Sequence, residues 1–287
     1  MARRVAFITG ASRGIGRAAA LALAERGYDI VATARSVSPG EAREYSSSVK
    51  RSLRIALPGS LEETAAAVRE RGREALVLRL DLLERASIDA ALDAALAQWG
   101  QIDLLLNNGI YQGPGLMDLF LDVPLADVEK IFLGNVFAQI HLTQRVLPQM
   151  LARGRGILIN MTSGSALQDP PAPAGQGGWG YAYAASKAAF HRMVPLLHVE
   201  HAARGLCCYN VEPGYVPNEA QRAILGGANP IDRHFRGAPP EVPAAGIAWL
   251  ASEPEARALA GQTVFVQKLV KERGLVPGWP PPRARAT

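Results

Sequence analysis

Short apolar runs alternate along the chain with longer stretches in which apolar residues recur at helical spacing. The runs predict strands at 5–9, 29–34, 75–80, 102–107, 156–161, 206–212 and 263–266. The spaced stretches predict helices at 15–26, 61–71, 86–99, 125–152, 181–203 and 242–251. This alternation favours an α/β fold, a single domain with one doubly wound parallel sheet and helices on both faces. In such sheets, ligands bind beyond the carboxyl ends of the strands.

Several segments interrupt this pattern. Residues 36–59 are rich in Ser, Arg, Gly and Pro and form an insertion longer than a usual connection. Residues 168–180 predict a Pro- and Gly-rich loop, and residues 217–239 a substrate loop. Pro195 should kink the helix at 181–203, because proline lacks an amide proton. We therefore predict a cofactor-binding and catalytic domain at 1–273 and a flexible or surface-laid tail at 274–287.

The charge balance argues against a nucleic-acid partner. The chain has 287 residues and a net charge of +5, from 31 basic and 26 acidic side chains spread along its length. No run of Lys and Arg is interleaved with aromatic residues, and no apolar stretch is long enough to cross a bilayer. We expect no nucleic acid, no membrane insertion, no metal and a cytoplasmic location.

Three glycines, Gly10, Gly14 and Gly16, lie between the first predicted strand and the first predicted helix, in a turn that also holds Ser12 and Ile15. Glycine lets the chain turn sharply and lets a pyrophosphate approach, while the helix N-terminus presents free N–H groups. In its strand–turn–helix context, the motif predicts a dinucleotide site.

The end of the second predicted strand indicates which dinucleotide. It reads Thr33-Ala34-Arg35, with no carboxylate to hold an adenosine ribose hydroxyl. Arg35, and Arg13 within the glycine turn, can instead neutralise a 2′-phosphate, although either is also compatible with a solvated surface position. The sequence favours NADP over NAD.

Tyr183 and Lys187 stand four residues apart in a predicted helix, so both side chains share one face. An ammonium beside a phenol favours the phenolate and brings its proton within reach of acid–base chemistry. A nucleotide turn followed by such a pair suggests a hydride-transfer enzyme.

In these motifs and their order, the chain resembles the short-chain dehydrogenase/reductase family, over roughly its first 270 residues. The matching positions are the turn at 9–16, Asp81-Leu82, Asn107-Asn108-Gly109, Asn135, Ser163, the Tyr183/Lys187 pair and Pro213-Gly214. The resemblance implies a Rossmann-like fold and the conversion of a carbonyl and a secondary alcohol into one another with a nicotinamide cofactor.

The resemblance also implies roles for single residues. Tyr183 would be the general acid in reduction and the base in oxidation. Lys187 would lower the pKa of Tyr183 and hydrogen-bond the nicotinamide ribose. Ser163 would hold the substrate oxygen, and Asn135 would support a water that relays protons through Lys187. Further cofactor contacts are implied at Asp81 near the adenine, at Leu82, Asn107 and Gly109 along the cleft, and at Pro213, Gly214 and Val216 on the nicotinamide side.

Some positions depart from the family pattern or leave a choice. Ser163 and Tyr183 are 20 residues apart, against the family's usual dozen or so, and the excess lies in 169–179. Ser165 could replace Ser163, whereas Tyr181 has Ala185 and no lysine four positions on. Other departures are Gly109 for an alanine, Ile110 for a glycine, Asn218 for a carboxamide-binding threonine, and Gln267-Lys268 for Asp-Gly-Gly.

The predicted pocket is mainly aromatic and apolar. It comprises Tyr111, Trp179 and Tyr215 together with 169–179 and 217–239, which suits a hydrophobic ketone better than a small charged acid. An alternative is a catalytically silent NADP-binding protein on the same fold. An epimerase or dehydratase would need a further acid–base pair, and none is convincingly placed. The resemblance implies a homodimer or homotetramer.

Overall fold

The computed structural model describes residues 3–226 and 229–281. The first half of the chain contains β1 (Arg4–Thr9), α1 (Gly14–Glu25), β2 (Tyr28–Ala34), β3 (Ala42–Ser48), β4 (Arg51–Ala56), α2 (Leu61–Arg69), β5 (Ala75–Arg79), α3 (Arg85–Trp99), β6 (Leu104–Asn107), α4 (Leu125–Phe132) and α5 (Ala138–Ala152). The second half contains β7 (Gly156–Met161), α6 (Tyr181–His191), α7 (Met193–His201), β8 (Leu206–Glu212), α8 (Glu219–Leu225), α9 (Glu241–Ser252), β9 (Thr263–Phe265) and α10 (Val266–Arg273).

Seven of these strands form one parallel sheet in the order β5-β2-β1-β6-β7-β8-β9. The chain runs outward from β1 to β5 and then returns to the centre at β6, so the winding reverses between β1 and β6. Loops leave these two strands in opposite directions and open a crevice at their carboxyl ends. The predicted fold class, a Rossmann-like doubly wound sheet, is confirmed.

Helices cover both faces of the sheet. Successive strand residues point to opposite sides, so one strand contributes side chains to two separate cores. In β1, Ala6 and Ile8 pack into one core with residues of α1 and α9, whereas Val5 and Phe7 pack into another with residues of α3 and α5. All four side chains are buried. Strands with two apolar faces are typical of a fully covered parallel sheet.

The helix predicted at 125–152 is interrupted. A π-helical turn, Leu133–Phe137, separates α4 from α5 and carries Asn135. Such π-helical turns occur mostly as single turns inside α-helices and are frequent at functional sites.

The helix predicted at 181–203 divides at Arg192 into α6 and α7. Pro195 has no amide proton for the carbonyl of His191, which accepts a hydrogen bond from Asn210 Nδ2 at 2.8 Å instead. The predicted helix is therefore interrupted just before Pro195, beside the residue whose hydrogen bond is lost.

The insertion at 36–59 contains a regular element that the sequence analysis did not predict. Strands β3 and β4 pair as an antiparallel hairpin separate from the main sheet. Its apolar residues, Tyr45, Ile55 and Leu57, pack against Ala220 and Ile224 of α8. The hairpin's partner is thus a helix more than 150 residues away, within the segment predicted only as a substrate loop.

The end of the chain also differs from the prediction. The last strand stops at Phe265 and passes directly into α10, which was not predicted and packs against α9. In the tail, Leu275, Val276 and Trp279 pack on the core, so its first part lies on the surface of the domain, while 282–287 fall outside the described residues. Among the described residues, no helix is both long and apolar enough to span a membrane.

Candidate active site

A cavity of about 530 Å³ lies at the carboxyl ends of the central strands. It brings together most of the predicted site residues, from both halves of the chain. The predicted residues that line it are Gly10, Ser12, Arg13, Gly14, Ile15, Gly16, Arg35, Asp81, Leu82, Gly109, Tyr111, Ser163, Trp179, Tyr183, Lys187, Pro213, Gly214, Tyr215 and Val216. The two that do not line it are Asn107 and Asn135.

The glycine turn is wound tightly against the end of β6. A Cβ atom on Gly16 would overlap the carbonyl oxygen of Gly10 and lie 2.6 Å from Asn108 Nδ2. The hydroxyl of Thr9 accepts hydrogen bonds from the backbone N–H groups of Asn108 (3.0 Å) and Gly109 (2.9 Å). The first turn of α1 holds no acidic side chain, so its N–H groups are available to an anion.

The two predicted phosphate-binding arginines differ in their surroundings. Arg13 donates to Pro58 O, Tyr45 Oη and Gly59 O at 2.7–3.0 Å, and so ties the glycine turn to the hairpin. The Arg35 guanidinium lies 5.7 Å from the centre of the Tyr45 ring and lines the cavity. Arg13 is therefore held by the hairpin, and the binding of a phosphate by either arginine stays a prediction.

Ser36 is a lining residue that the sequence analysis missed. It follows Arg35 directly after β2, and its side chain is buried. Within the described residues, its hydroxyl has no hydrogen-bond partner. Because a buried polar atom without a partner is costly, this hydroxyl is suited to a polar group of a bound ligand. The signal in the sequence was the Arg-Ser pair at the end of the strand.

Ser163, Tyr183 and Lys187 meet at the opposite end of the cavity. Ser163 follows β7, and its Oγ accepts hydrogen bonds from Ser165 N (3.2 Å) and Ser165 Oγ (3.0 Å). The Ser163 proton is thus free to donate to another oxygen, with Ser165 as its support. Lys187 is buried, and its Nζ donates to Met161 O at 2.7 Å. Tyr181, by contrast, is exposed and packs edge-on against Phe120.

A family model described as short chain dehydrogenase matches residues 4–56 and 55–225. The chain belongs to this family. It is 34% identical over 225 residues to the human Dehydrogenase/reductase SDR family member 7, covering 78% of this chain but only 58% of that relative.

A second relative and a solved structure match nearly end to end. The 3-oxoacyl-(acyl-carrier-protein) reductase of Synechocystis sp. is 28% identical over 267 residues, which cover 92% of this chain and 95% of the relative. A solved short chain dehydrogenase/reductase family protein superposes with a TM-score of 0.71 at 26% identity, over 92% of this chain and 95% of that one. The short-chain dehydrogenases are oxidoreductases that use nicotinamide cofactors. The tight glycine turn and the partnerless Ser36 hydroxyl fit such a cofactor.

Ser163, Tyr183 and Lys187 form the candidate catalytic corner of the cavity, and burial controls the acid–base properties of this corner. It raises the pKa of Tyr183, which the Ser163 hydroxyl opposes and the Glu212 carboxylate reinforces. Burial also lowers the pKa of Lys187 to about 7. Desolvation of the phenol is the largest cause of the shift in the Tyr183 pKa. The expected lowering of the Tyr183 pKa by Lys187 stays a prediction.

Asn107 and Asn135 lie beneath the cavity instead of lining it. Asn107, expected along the cofactor cleft, is buried and donates to Thr143 Oγ1 (3.1 Å) and Asn160 Oδ1 (3.0 Å). Its neighbour Asn108 takes the lining position. Asn135 accepts from the backbone N–H of Tyr111 at 2.6 Å, and its buried Nδ2 has no partner within the described residues. The predicted water relay through Asn135 stays a prediction.

The departures from the family pattern have visible structural roles. Asn218, in place of the usual threonine, caps α8 by accepting from Gln221 N at 2.8 Å. Gln267 lies in the first turn of the unpredicted helix α10, and its Nε2 donates to Pro213 O at 2.9 Å. Asn218 therefore organises the loop after β8, while Gln267 fixes the Pro213-Gly214 turn.

The pocket beside the catalytic corner is largely apolar. Trp179 lies 6.4 Å from Phe235, centre to centre, which joins the loop at 168–180 to the segment after α8. Tyr215 Oη accepts from Asn229 Nδ2 at 3.1 Å, and burial together with Asp232 raises the Tyr215 pKa to about 12. In residues 3–226 and 229–281, no group of three or more His, Cys, Asp or Glu side chains could hold a metal ion.

Proposed function

We propose that this protein is an NADP-dependent oxidoreductase that converts a carbonyl and a secondary alcohol into one another. The observation that carries the proposal is the convergence of Ser163, Tyr183 and Lys187 on the cavity that begins at the glycine turn. The complete set of catalytic groups favours an enzyme over a silent NADP-binding protein.

The residues suit reduction in particular. A nicotinamide cofactor bound in this cavity would supply a hydride to the carbonyl carbon. Ser163, whose proton is free, can hold the carbonyl oxygen by donating to it. As the C=O bond gains the hydride, its electron pair moves onto that oxygen, which takes the Tyr183 proton. The raised pKa of Tyr183 keeps this proton on the phenol at neutral pH.

Arg35 and Ser36 support NADP as the cofactor. The end of β2 offers a cation and a partnerless hydroxyl but no carboxylate, which suits a 2′-phosphate better than a free ribose hydroxyl. We expect the protein to bind NADPH more tightly than NADH in a titration followed by nicotinamide fluorescence. The R35A variant should lose this preference, and equal binding of both cofactors by the wild type would contradict it.

The pocket supports a hydrophobic substrate. Its lining near the catalytic corner includes Leu116, Met117, Trp179, Ile231 and Phe235. The Synechocystis relative is named for a carbonyl on an acyl chain, which agrees with this lining. An apolar ketone or 3-oxoacyl compound is therefore the first class to screen.

The decisive test is the Y183F variant. The proton donor is lost while the cofactor site keeps its shape, so turnover should fall at least about a thousandfold with NADPH affinity unchanged. Tyr181→Phe, which changes an exposed tyrosine two positions away, is the matched control. Unchanged turnover in Y183F would reject the proposed mechanism.

We also infer that the protein forms a homodimer or homotetramer. Phe137 (53% exposed) at the end of the π-helical turn, and Leu196 (56%) and Val199 (85%) on α7, leave apolar surface open to solvent. Sedimentation should give a mass of two or four chains, and F137E with V199E should give monomers. A monomeric wild type would contradict this inference. The cytoplasmic location stays a prediction.

A further inference from the structure

Glu212 is a partly buried carboxylate in the catalytic corner to which the proposed chemistry assigns no step. It is the last residue of β8 and lines the cavity. One of its oxygens, Oε1, accepts hydrogen bonds from the backbone N–H groups of Gly164 (3.1 Å) and Gly214 (3.0 Å). A carboxylate that accepts two such bonds is held in one orientation.

The two N–H groups belong to the two loops that bracket the reaction centre. Gly164 directly follows Ser163, and Gly214 belongs to the Pro213-Gly214 turn. Thr162, directly after β7, donates its N–H to Val211 O of β8 at 2.9 Å. The pairing of the two strands ends here, and the loops that follow them are no longer joined as a sheet. Glu212 continues the connection with a side-chain oxygen where the sheet ends.

The electrostatics of Glu212 agree with this role. Burial raises its pKa, while the N–H groups of Gly214 and Gly164 lower it and so stabilise the carboxylate. The other side of the turn is held separately, because Gln267 Nε2 donates a hydrogen bond to Pro213 O. Two side chains from different elements therefore hold one short turn, as expected where its position matters for function.

We propose that Glu212 is a positioning residue that holds Ser163 and the Pro213-Gly214 turn at a fixed separation through one carboxylate oxygen. The proposal rests on the function proposed above, because the separation matters through the placement of the substrate oxygen relative to the nicotinamide. Glu212 itself exchanges no proton in this role; it restricts the geometry in which Ser163 and Tyr183 meet the substrate.

The test compares E212Q with E212A. Glutamine keeps an acceptor oxygen of the same reach, whereas alanine removes it. We expect kcat to fall about tenfold to a hundredfold in E212A, since a displacement of about 1 Å has an effect of that size. NADPH affinity should stay within about threefold, because the substitution leaves the glycine turn and Arg35 unchanged, and E212Q should restore most of kcat. E255A, an exposed site, is the matched control.

Backbone hydrogen exchange keeps the test independent of the assigned reaction. The Gly164 and Gly214 amides should be protected in the wild type and E212Q and should lose protection in E212A, whether or not a substrate has been found. Wild-type turnover of a ketone tests the proposed function separately. Full activity or retained amide protection in E212A, or an E212Q as impaired as E212A, would overturn the positioning role.

Discussion

The floor of the cavity, formed by the ends of β1, β6, β7 and β8, rests on strands buried on both faces, whereas its roof, formed by the β3–β4 hairpin and α8, rests on one small cluster. That cluster contains four buried apolar residues, Tyr45, Leu57, Ala220 and Ile224. Of the proposed catalytic groups, Ser163 follows β7, and Lys187 of α6 donates to Met161 O of β7, while the roof contributes lining residues such as Tyr45 and Ala220. The proposed chemistry is thus supported by strands that are buried on both faces.

The difference in burial predicts a difference in dynamics. Regions with few buried apolar contacts open at a small fraction of the free energy of global unfolding. Outside its apolar cluster, the roof is joined to the rest by a few polar contacts, including Arg13 to Tyr45 Oη (2.7 Å) and Ser46 N to Gln112 O (2.8 Å). We therefore expect the roof to open and admit the cofactor while the floor stays folded.

Truncating a buried side chain should lower the free energy of unfolding far more in the floor than in the roof, and this is the largest effect that we predict. Leu106→Ala, at a fully buried floor position, should lower the free energy of unfolding by about 3 kcal/mol. Ile224→Ala, in the roof, should lower it by no more than about 1 kcal/mol, because the loss is capped by the small free energy that closes the roof.

Urea denaturation measures both variants, and stopped-flow fluorescence measures NADPH release. We expect release to be severalfold faster in Ile224→Ala only. Equal destabilisation of the two variants would show that floor and roof unfold as one unit, and would contradict the expected separate opening of the roof.

The same contrast explains what the sequence could predict. The bounds of β7 and β8 agree with the prediction to the residue, because a strand buried on both faces is a continuous apolar run bounded by turn residues. The glycine turn and the Tyr183/Lys187 pair were found because each is fixed by local spacing. For the floor, local sequence and tertiary environment give the same result.

The roof and two site residues could not be predicted in this way. β3 is largely polar, and its apolar residue Tyr45 packs against α8, a partner distant in sequence. Glu212 had the pattern of a solvated charge beside the Pro213-Gly214 motif, and its role depends on N–H groups of two separate loops. Ser36 is a candidate ligand contact because its buried hydroxyl has no hydrogen-bond partner within the described residues, and this depends on three-dimensional packing.

A second prediction sharpens the description of the floor at the glycine turn. Gly16→Ala should destabilise the protein by about 2 kcal/mol and abolish NADPH binding, because its methyl group would overlap the carbonyl oxygen of Gly10. Gly14→Ala is the matched control, because the nearest atom outside the adjacent backbone, Glu219 Oε2, lies 3.7 Å from the added carbon.

Gly14 has a φ of +53°, so the control should lose about 1 kcal/mol through backbone strain alone. Thermal melts and an NADPH titration distinguish the two variants. A Gly16→Ala protein that binds NADPH as the wild type does would mean that the turn is looser than the structure shows.

The prediction with the smallest effect tests whether water is excluded from Lys187, whose Nζ donates to Met161 O of the floor strand β7. Burial lowers the pKa of Lys187 from 10.5 to about 7, so between these values the unfolded chain holds a proton that the folded protein has released. Stability should therefore rise with pH through this window and be lost as pH falls, by about 1 kcal/mol between pH 7 and pH 8. Urea denaturation without added cofactor should show this slope in the wild type and not in K187M. Parallel curves for the two proteins would mean that water reaches Lys187, and a reduced slope in Ile224→Ala would show that the closed roof keeps it out.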